Sequence, residues 1–285
     1  MKDKYLEAGQ KVKLIVSDVD GTLLTSDRRL SDDNIAAIKK ATEQNIMFTI
    51  STGRVVSMLD YYIKTLDITT PIIGFNGAVA WDPVSKETIY DIPMDKEELS
   101  ELLEFCKFHK LDYGVMTMGV NYFSPNSFRI ERYRSYNEFA KSHGRSIMEV
   151  DIFDENHSCI DGIKVYKLLV TEQDTNKINI MLKKLQSMQN TGYTFSEPTL
   201  LDISEKSADK GLGVKKLAKY YDLRPDEVCA IGDYDNDISM LSYAGFSVAM
   251  GNAQPNVKEH AFYVTASNDD NGLAQVIEKY ILTQP

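Results

Sequence analysis

An α/β protein with a doubly wound parallel sheet, split by an inserted α+β region, is the fold this sequence predicts. Three observations carry it. Short apolar runs that end in polar, glycine-bearing turns alternate with amphipathic helical stretches at both ends of the chain. The middle third breaks that alternation with strand segments rich in Tyr, Trp and Ile. The length, 285 residues, suffices for a core domain and an insert.

Leu14-Ile15-Val16 reads as a buried strand, closed by Asp18-Val19-Asp20-Gly21-Thr22. Ser31 reads as an N-cap, with Asp32 and Asp33 at the positive end of the helix and Ile35, Ile38 and Ala41 on its apolar face. Residues 46–50 form the second strand expected, ending at Ser51-Thr52-Gly53-Arg54, and a helix carrying Met58, Leu59 and Tyr62 follows. Residues 71–75 are the third, closed by Asn76-Gly77. This β-α-β-α-β order predicts parallel pairing with helices on both faces.

The pattern then changes. A hairpin is expected over 78–92, interrupted at Asp82-Pro83, and Asp95 should cap a helix over 96–107 with Leu99, Leu102, Leu103 and Cys106 on one face. Strands are expected at 113–116, 121–123, 162–170 and 193–195, and an amphipathic helix at 175–188. The doubly wound pattern resumes near Leu201, with helices over 210–220, 238–244 and 273–282 and strands over 228–231 and 246–249. Residues 1–82 and 197–285 are therefore expected to form the core, and 83–196 an inserted cap.

The formal net charge is −10, which disfavours a surface for nucleic acid or anionic lipid but not a small anionic substrate. Three widely spaced cysteines, Cys106, Cys159 and Cys229, read as reduced thiols. The polar segment 1–10 does not read as a signal peptide, and apolar runs fall short of membrane-spanning length, so a cytoplasmic location is expected.

Open α/β sheets bind ligands outside the carboxyl ends of their strands. Three polar clusters fall at such ends: Asp18-x-Asp20, Ser51-Thr52-Gly53-Arg54 and Gly232-Asp233-Tyr234-Asp235-Asn236-Asp237. On a strand, Asp18 and Asp20 would face the same way. Lys210 opens a helix between Asp209 and Gly211. Carboxylates for a hard cation, a hydroxyl and small-residue turn for an anion, and a lysine charge together fit phosphoryl transfer.

On these stretches the sequence resembles the haloacid dehalogenase-like phosphatases, in particular the Cof-type, class IIB branch with a large C2-type α/β cap. The matching segments are Asp18-Val-Asp-Gly-Thr-Leu-Leu, Ser51-Thr-Gly-Arg, Ala208-Asp-Lys-Gly, Gly232-Asp-Tyr-Asp-Asn-Asp-Ile-Ser-Met-Leu, Ala249-Met-Gly-Asn-Ala and Thr265-Ala-Ser-Asn-Asp-Asp-Asn-Gly-Leu-Ala. They run in order through the whole core, around an insert of cap size.

The resemblance implies that Asp18 attacks phosphorus and becomes an aspartyl-phosphate, and that Asp20 protonates the leaving oxygen and then activates water. It implies Mg²⁺ held by Asp18, the Asp20 backbone carbonyl and Asp233, with Asp237 supporting the metal shell. Thr52 would donate to a phosphoryl oxygen and Lys210 would neutralise charge. Gly53 would let the backbone turn beside the phosphoryl group. Asn236 would touch Lys210 or phosphate, while Arg54 would bind substrate or pair with a carboxylate. The substrate implied is a small phosphate ester of the sugar phosphate, pyridoxal phosphate or flavin mononucleotide class. A phosphosugar mutase of the same superfamily shares these motifs, and a non-catalytic metabolite-binding module is the reading from another class. The one departure is Glu205-Lys206-Ser207-Ala208, which lacks a glycine often present before the lysine and bears on the shape of that loop.

Other readings of the same residues are weaker. An EF-hand starting at Asp18 would place Leu23 sixth and Arg29 twelfth, and one starting at Asp233 would place Ile238 sixth and Ala244 twelfth; neither supplies the required Gly and Glu. His109, His143, His157 and His260 lack metal-ligand spacing and read as structural or solvated. Cys229 falls in a strand and reads as core. The aromatic and basic stretch from Tyr122 to Tyr136 reads as cap core with exposed arginines, in preference to a substrate-facing surface.

Overall fold

α1 (Lys4–Gly9), β1 (Leu14–Ser17), α2 (Asp32–Glu43) and β2 (Met47–Ile50) open the chain, whose residues 4–197 and 199–282 are described by a computed structural model. The Ser31 hydroxyl accepts the Asn34 N–H at 3.2 Å, which caps α2 as its sequence predicts. α3 (Asp60–Thr65), β3 (Ile72–Gly74), β4 (Val79–Trp81) and β5 (Thr88–Asp91) follow. Then come α4 (Lys96–Phe108), β6 (Asp112–Met116), β7 (Asn121–Phe123), α5 (Phe128–Ser142), β8 (Val150–Ile152), β9 (Lys167–Thr171), α6 (Thr175–Leu185), β10 (Thr191–Glu197) and β11 (Leu200–Glu205). The chain continues through α7 (Lys210–Tyr220), β12 (Val228–Gly232), α8 (Ile238–Tyr243), β13 (Phe246–Ala249), α9 (Pro255–Glu259), β14 (Tyr263–Val264) and α10 (Gly272–Val276). The last helix stops short of the expected 282 because its ladder widens into a single looser turn over Ile277–Ile281.

The doubly wound core is present as an all-parallel sheet in the order β14-β13-β12-β1-β2. β1 and β12 are buried along their whole length, consistent with helices over both faces. The chain leaves β1 toward β2 and later returns on its other side as β12. The order thus reverses between β1 and β12, and such a reversal opens a crevice at the carboxyl edge. Among the described residues, the third expected strand joins this sheet through a parallel bridge between Ser51 and Ile73. Asn76 (φ 55°) and Gly77 (φ 98°) turn the chain back, so β3 pairs antiparallel with β4 in a separate β3-β4-β5 sheet.

The second sheet has the order β10-β11-β9-β6-β7-β8, antiparallel except between β7 and β8. One of its faces packs Tyr113, Val115, Leu168, Val170, Leu201 and Ile203 against the α4 and α6 residues Leu102, Cys106, Met181 and Leu185. β11 belongs here, which corrects the expectation that the doubly wound pattern resumes near Leu201: it pairs antiparallel with β9 and β10, and the core pattern resumes at α7. The stretch after β7 forms α5, a helix the sequence reading did not identify because its apolar face is weak; only Arg129, Ile130 and Ala140 are buried along it. Arg132 and Arg134 are exposed as expected. Arg129 is not: it is buried, and its Nε donates to Thr171 Oγ1 at 3.2 Å.

The chain divides into two compact units. One comprises the chain up to Gly53, Tyr62–Tyr90 and the chain from Asp209 onward; the other comprises Arg54–Tyr61 and Asp91–Ala208. The hairpin strands β4 and β5 explain why the first unit extends beyond residue 82, since they complete the β3 sheet. Cys229 lies in β12, fully buried. Among the described residues no helix is long and apolar enough to cross a membrane.

His157 illustrates a structural histidine of the second unit. Its Nε2 lies 2.7 Å from Tyr113 Oη, and its Nδ1 lies 3.5 Å from Glu104. Burial lowers its pKa, with Lys107 acting in the same direction and Glu104 and Asp154 opposing. A neutral imidazole is therefore favoured in the fold. Its contribution is complete above the unfolded value near 6.5 and is lost as pH falls through the lower folded value. Urea unfolding at about pH 7.5 and about pH 5.5 should show a loss of stability on acidification that is smaller in His157→Gln. An unchanged pH dependence in that variant would exclude the assignment.

Candidate active site

Register places the first functional group. Ser17 pairs with Ile50 on one side and Ile231 on the other, so Asp18 follows at the sheet's carboxyl edge. Its N–H still donates to the Ile231 carbonyl at 3.0 Å. Strand pairing stops there, and residues 19–23 form the wide turn that closes the strand. This makes the two carboxylates unequal: Asp18 is 6% exposed, whereas Asp20 is exposed.

The turn depends on Gly21. Its φ is +83°, and a Cβ built there would lie 2.4 Å from Asp233 Oδ2. Gly21→Ala should therefore lower stability by roughly 1–3 kcal/mol, read by urea unfolding. Wild-type stability in that variant would mean the turn can be rebuilt without a left-handed residue.

Lys210 is the first residue of α7, whose N-cap Asp209 accepts the Leu212 N–H at 2.7 Å. A lysine at a helix N-terminus opposes the helix dipole. The opposing partners are Asp18 Oδ1 at 2.6 Å and Asp237 Oδ1 at 2.5 Å from its Nζ, and the side chain is 1% exposed. Gly77 permits this placement, since a Cβ there would sit 1.9 Å from the Asp209 carbonyl oxygen. Burial alone would lower the Lys210 pKa; Asp18 and Asp237 outweigh it and push the ammonium above its ordinary range.

The loop after β12 supplies Asp233, Asn236 and Asp237. Asp237 is fully buried. Its Oδ2 accepts the N–H groups of Asp233 (2.8 Å) and Tyr234 (3.0 Å), and its Oδ1 takes Lys210. Asp237 thereby fixes both the ammonium and the loop that carries Asp233. Thr22 Oγ1 donates to Asp233 Oδ1 at 3.0 Å. Asn236 Nδ2 donates to Asn76 Oδ1 at 3.1 Å.

Thr52 is 1% exposed; its N–H donates to the Ile73 carbonyl and its own carbonyl accepts the Asn76 N–H, both at 2.9 Å. A Cβ on Gly53 would meet Asn76 Oδ1 at 2.7 Å. Asn76 thus joins the Thr52-Gly53 turn to Asn236. In the sequence it reads only as a strand terminus; the Asn-Gly pair after a buried strand is the available signal, and in the structure Asn76 takes φ 55°. Arg54 groups with the second unit and not with these residues.

Oxygens of Asp18, Asp233 and Asp237 lie within 4.8 Å of one another. Three ionised carboxylates against the single Lys210 ammonium leave two excess negative charges in a buried place. Burial, then the neighbours Asp237, Asp233 and Asp20, holds the Asp18 carboxyl well above its usual range despite Lys210. Burial and Asp237 push Asp233 up to about 6, against the Thr22 hydrogen bond. Hard oxygen donors with surplus negative charge fit a divalent cation such as Mg²⁺.

A family model described as haloacid dehalogenase-like hydrolase matches residues 15–277. Phosphatase YwpJ of Bacillus subtilis is 30% identical over 284 residues, covering 94% of this chain and 99% of that protein. The 5-amino-6-(5-phospho-D-ribitylamino)uracil phosphatase YwtE of the same bacterium is 30% identical over 297 residues, covering 96% and 99% respectively. A solved haloacid dehalogenase-like hydrolase from Bacteroides thetaiotaomicron is similar with a TM-score of 0.80 at 28% identity, covering 94% of this chain and 99% of that one.

Proposed function

The chain belongs to the haloacid dehalogenase-like hydrolases, and from that membership we propose how its residues divide the work of hydrolysing a phosphate ester. It is a phosphatase of the Cof-type branch, a phosphoric monoester hydrolase. The observation that carries the assignment of roles is Lys210 held between Asp18 and Asp237, beside the Asp233 carboxylate.

Asp18 is the nucleophile. One of its oxygens forms a bond to phosphorus as the ester P–O bond breaks, giving an aspartyl-phosphate. Asp20, exposed where Asp18 is buried, gives its proton to the leaving oxygen. It then takes a proton from the water that attacks phosphorus and releases inorganic phosphate, regenerating the Asp18 carboxylate. Lys210 lowers the charge on Asp18 and on the arriving phosphoryl group. Thr52 donates its hydroxyl to a phosphoryl oxygen, Gly53 allows close approach, and Asn236 lines that anion site from its bond to Asn76. Arg54 contributes a positive charge for substrate.

Asp18, the Asp20 backbone carbonyl and Asp233 would hold Mg²⁺, with Asp237 supporting that shell through hydrogen bonds. When bound, Mg²⁺ offsets the repulsion between Asp18 and the phosphoryl oxygens. The second unit acts as the cap that selects the leaving group and excludes bulk water. The substrate is a small phosphorylated metabolite of the sugar phosphate, pyridoxal phosphate or flavin mononucleotide class. The name of YwtE supports adding a phosphorylated polyol to that set. We place the activity in the cytoplasm, in keeping with the three free cysteines.

The test is a panel of these esters, with p-nitrophenyl phosphate, assayed with Mg²⁺ and after chelation. Release of inorganic phosphate only with Mg²⁺ is expected. Equal rates after chelation would remove the cation from the reading, and an isomerised ester in place of free phosphate would assign a phosphosugar mutase.

A further inference from the structure

The segments Ala249-Met250-Gly251-Asn252-Ala253 and Thr265 to Gly272 have no part in the chemistry above, yet the first reaches Asp233 and the second bonds to the first. Asn252, in the loop after β13, directs its Nδ2 to the Gly21 carbonyl at 2.8 Å and toward Asp233 Oδ2 at 3.4 Å. Its Oδ1 accepts the Asn268 N–H at 3.0 Å. A backbone N–H can only donate, so this bond fixes which end of the Asn252 amide faces the site. Asn268 is itself buried, and its Nδ2 donates to the Leu24 carbonyl at 2.9 Å. The relay therefore starts and ends on the loop after β1.

We propose that Asn252 is a positioning residue for cation binding, clamping the Asp233 carboxylate to the Gly21 turn, with Asn268 setting its amide. The proposal rests on the reading of Asp18, Asp20 and Asp233 as the cation's holders. Both oxygens of Asp233 are then restrained: Thr22 Oγ1 holds Oδ1, and Asn252 Nδ2 approaches Oδ2. Thr22 follows Gly21 directly, and the Asp20 carbonyl precedes it by one peptide, so a single hydrogen bond to the Gly21 carbonyl steadies the whole turn. The two neutral donors restrain the carboxylate while leaving its charge for the cation. Partners that orient a liganding carboxylate in this way commonly matter 10- to 100-fold for metal affinity or activity.

Asn252 is exposed, so shortening it empties no core position. The experiment titrates MgCl₂ alone into full-length wild type, Asn252→Ala and Asn268→Ala by calorimetry, with thermal unfolding measured in cation-free buffer. Expected is a loss of Mg²⁺ affinity on the order of 10-fold in Asn252→Ala, with cation-free unfolding unchanged, and a smaller loss in Asn268→Ala. Wild-type Mg²⁺ affinity in Asn252→Ala would overturn the proposal while leaving the assignment of Asp18 and Asp233 intact. Failure of the wild type itself to bind Mg²⁺ would overturn both. Asn252→Ser, which keeps a shorter polar group, should fall between wild type and Asn252→Ala.

Discussion

Asp18→Asn is expected to remove hydrolysis of p-nitrophenyl phosphate almost completely, by on the order of 10⁴- to 10⁶-fold, the scale seen when a covalent nucleophile is lost. The substitution keeps the shape of the side chain and an oxygen that can accept from Lys210, so its effect on chemistry separates from its effect on folding. Burial already disfavours the charged form of Asp18. Neutralising it removes one of three clustered carboxylates, and the cation-free protein should unfold at the wild-type temperature or above it. The gain in stability that Mg²⁺ gives the wild type should shrink, because one of the cation's holders has become neutral. Asp20→Asn should cost less, about 10²- to 10⁴-fold, the range for a general acid and base. Hydroxylamine should trap an acyl-phosphate at Asp18 in the wild type. Substantial turnover by Asp18→Asn would sink the covalent mechanism.

Much of this site was legible because it depends on local signals. Asp18, Ser51-Thr52-Gly53 and Gly232-Asp233 each end an apolar run, and Lys210 opens a helix with an acidic cap. Runs and caps are written in a few consecutive residues. Sheet partners are not. Leu200–Glu205 reads locally as a core strand, and only its pairing with Lys167–Thr171 assigns it to the second sheet. The same limit hid Asn76 and Asn252. Each is an ordinary turn asparagine in its own segment, and each acquires a partner 160 or 231 residues away, on Asn236 and Gly21 respectively. Arg129 was misread for a related reason. Its charge favours exposure, and the Thr171 hydroxyl that accepts from it lies on a strand 42 residues later. The carboxylate pair marks where a local rule ends: alternation holds while strand pairing lasts, pairing ends at Ser17, and the turn gives Asp18 and Asp20 different exposures.

Lys210→Met should be the variant that damages both folding and chemistry. The side chain is 1% exposed, with ion pairs of 2.6 and 2.5 Å to Asp18 and Asp237. Methionine nearly matches its volume, so packing changes little and the loss is electrostatic. Removing one member of a buried ion pair leaves an uncompensated charge, which typically costs 3–5 kcal/mol. Here two carboxylates lose the same partner. Urea unfolding in cation-free buffer should therefore show a loss of about 3 kcal/mol. Mg²⁺ should restore part of it, since a cation held by Asp18 and Asp233 answers the same excess charge. Turnover with Mg²⁺ present should still fall by at least about 10²- to 10³-fold, the usual loss when one fixed donor to a developing anion is deleted. The two readouts divide the role of Lys210: stability recovered by Mg²⁺ measures its charge against Asp18 and Asp237, and the activity that Mg²⁺ does not recover measures its action on the phosphoryl group. A variant that keeps wild-type stability and turnover would mean that the ammonium between these carboxylates serves neither purpose.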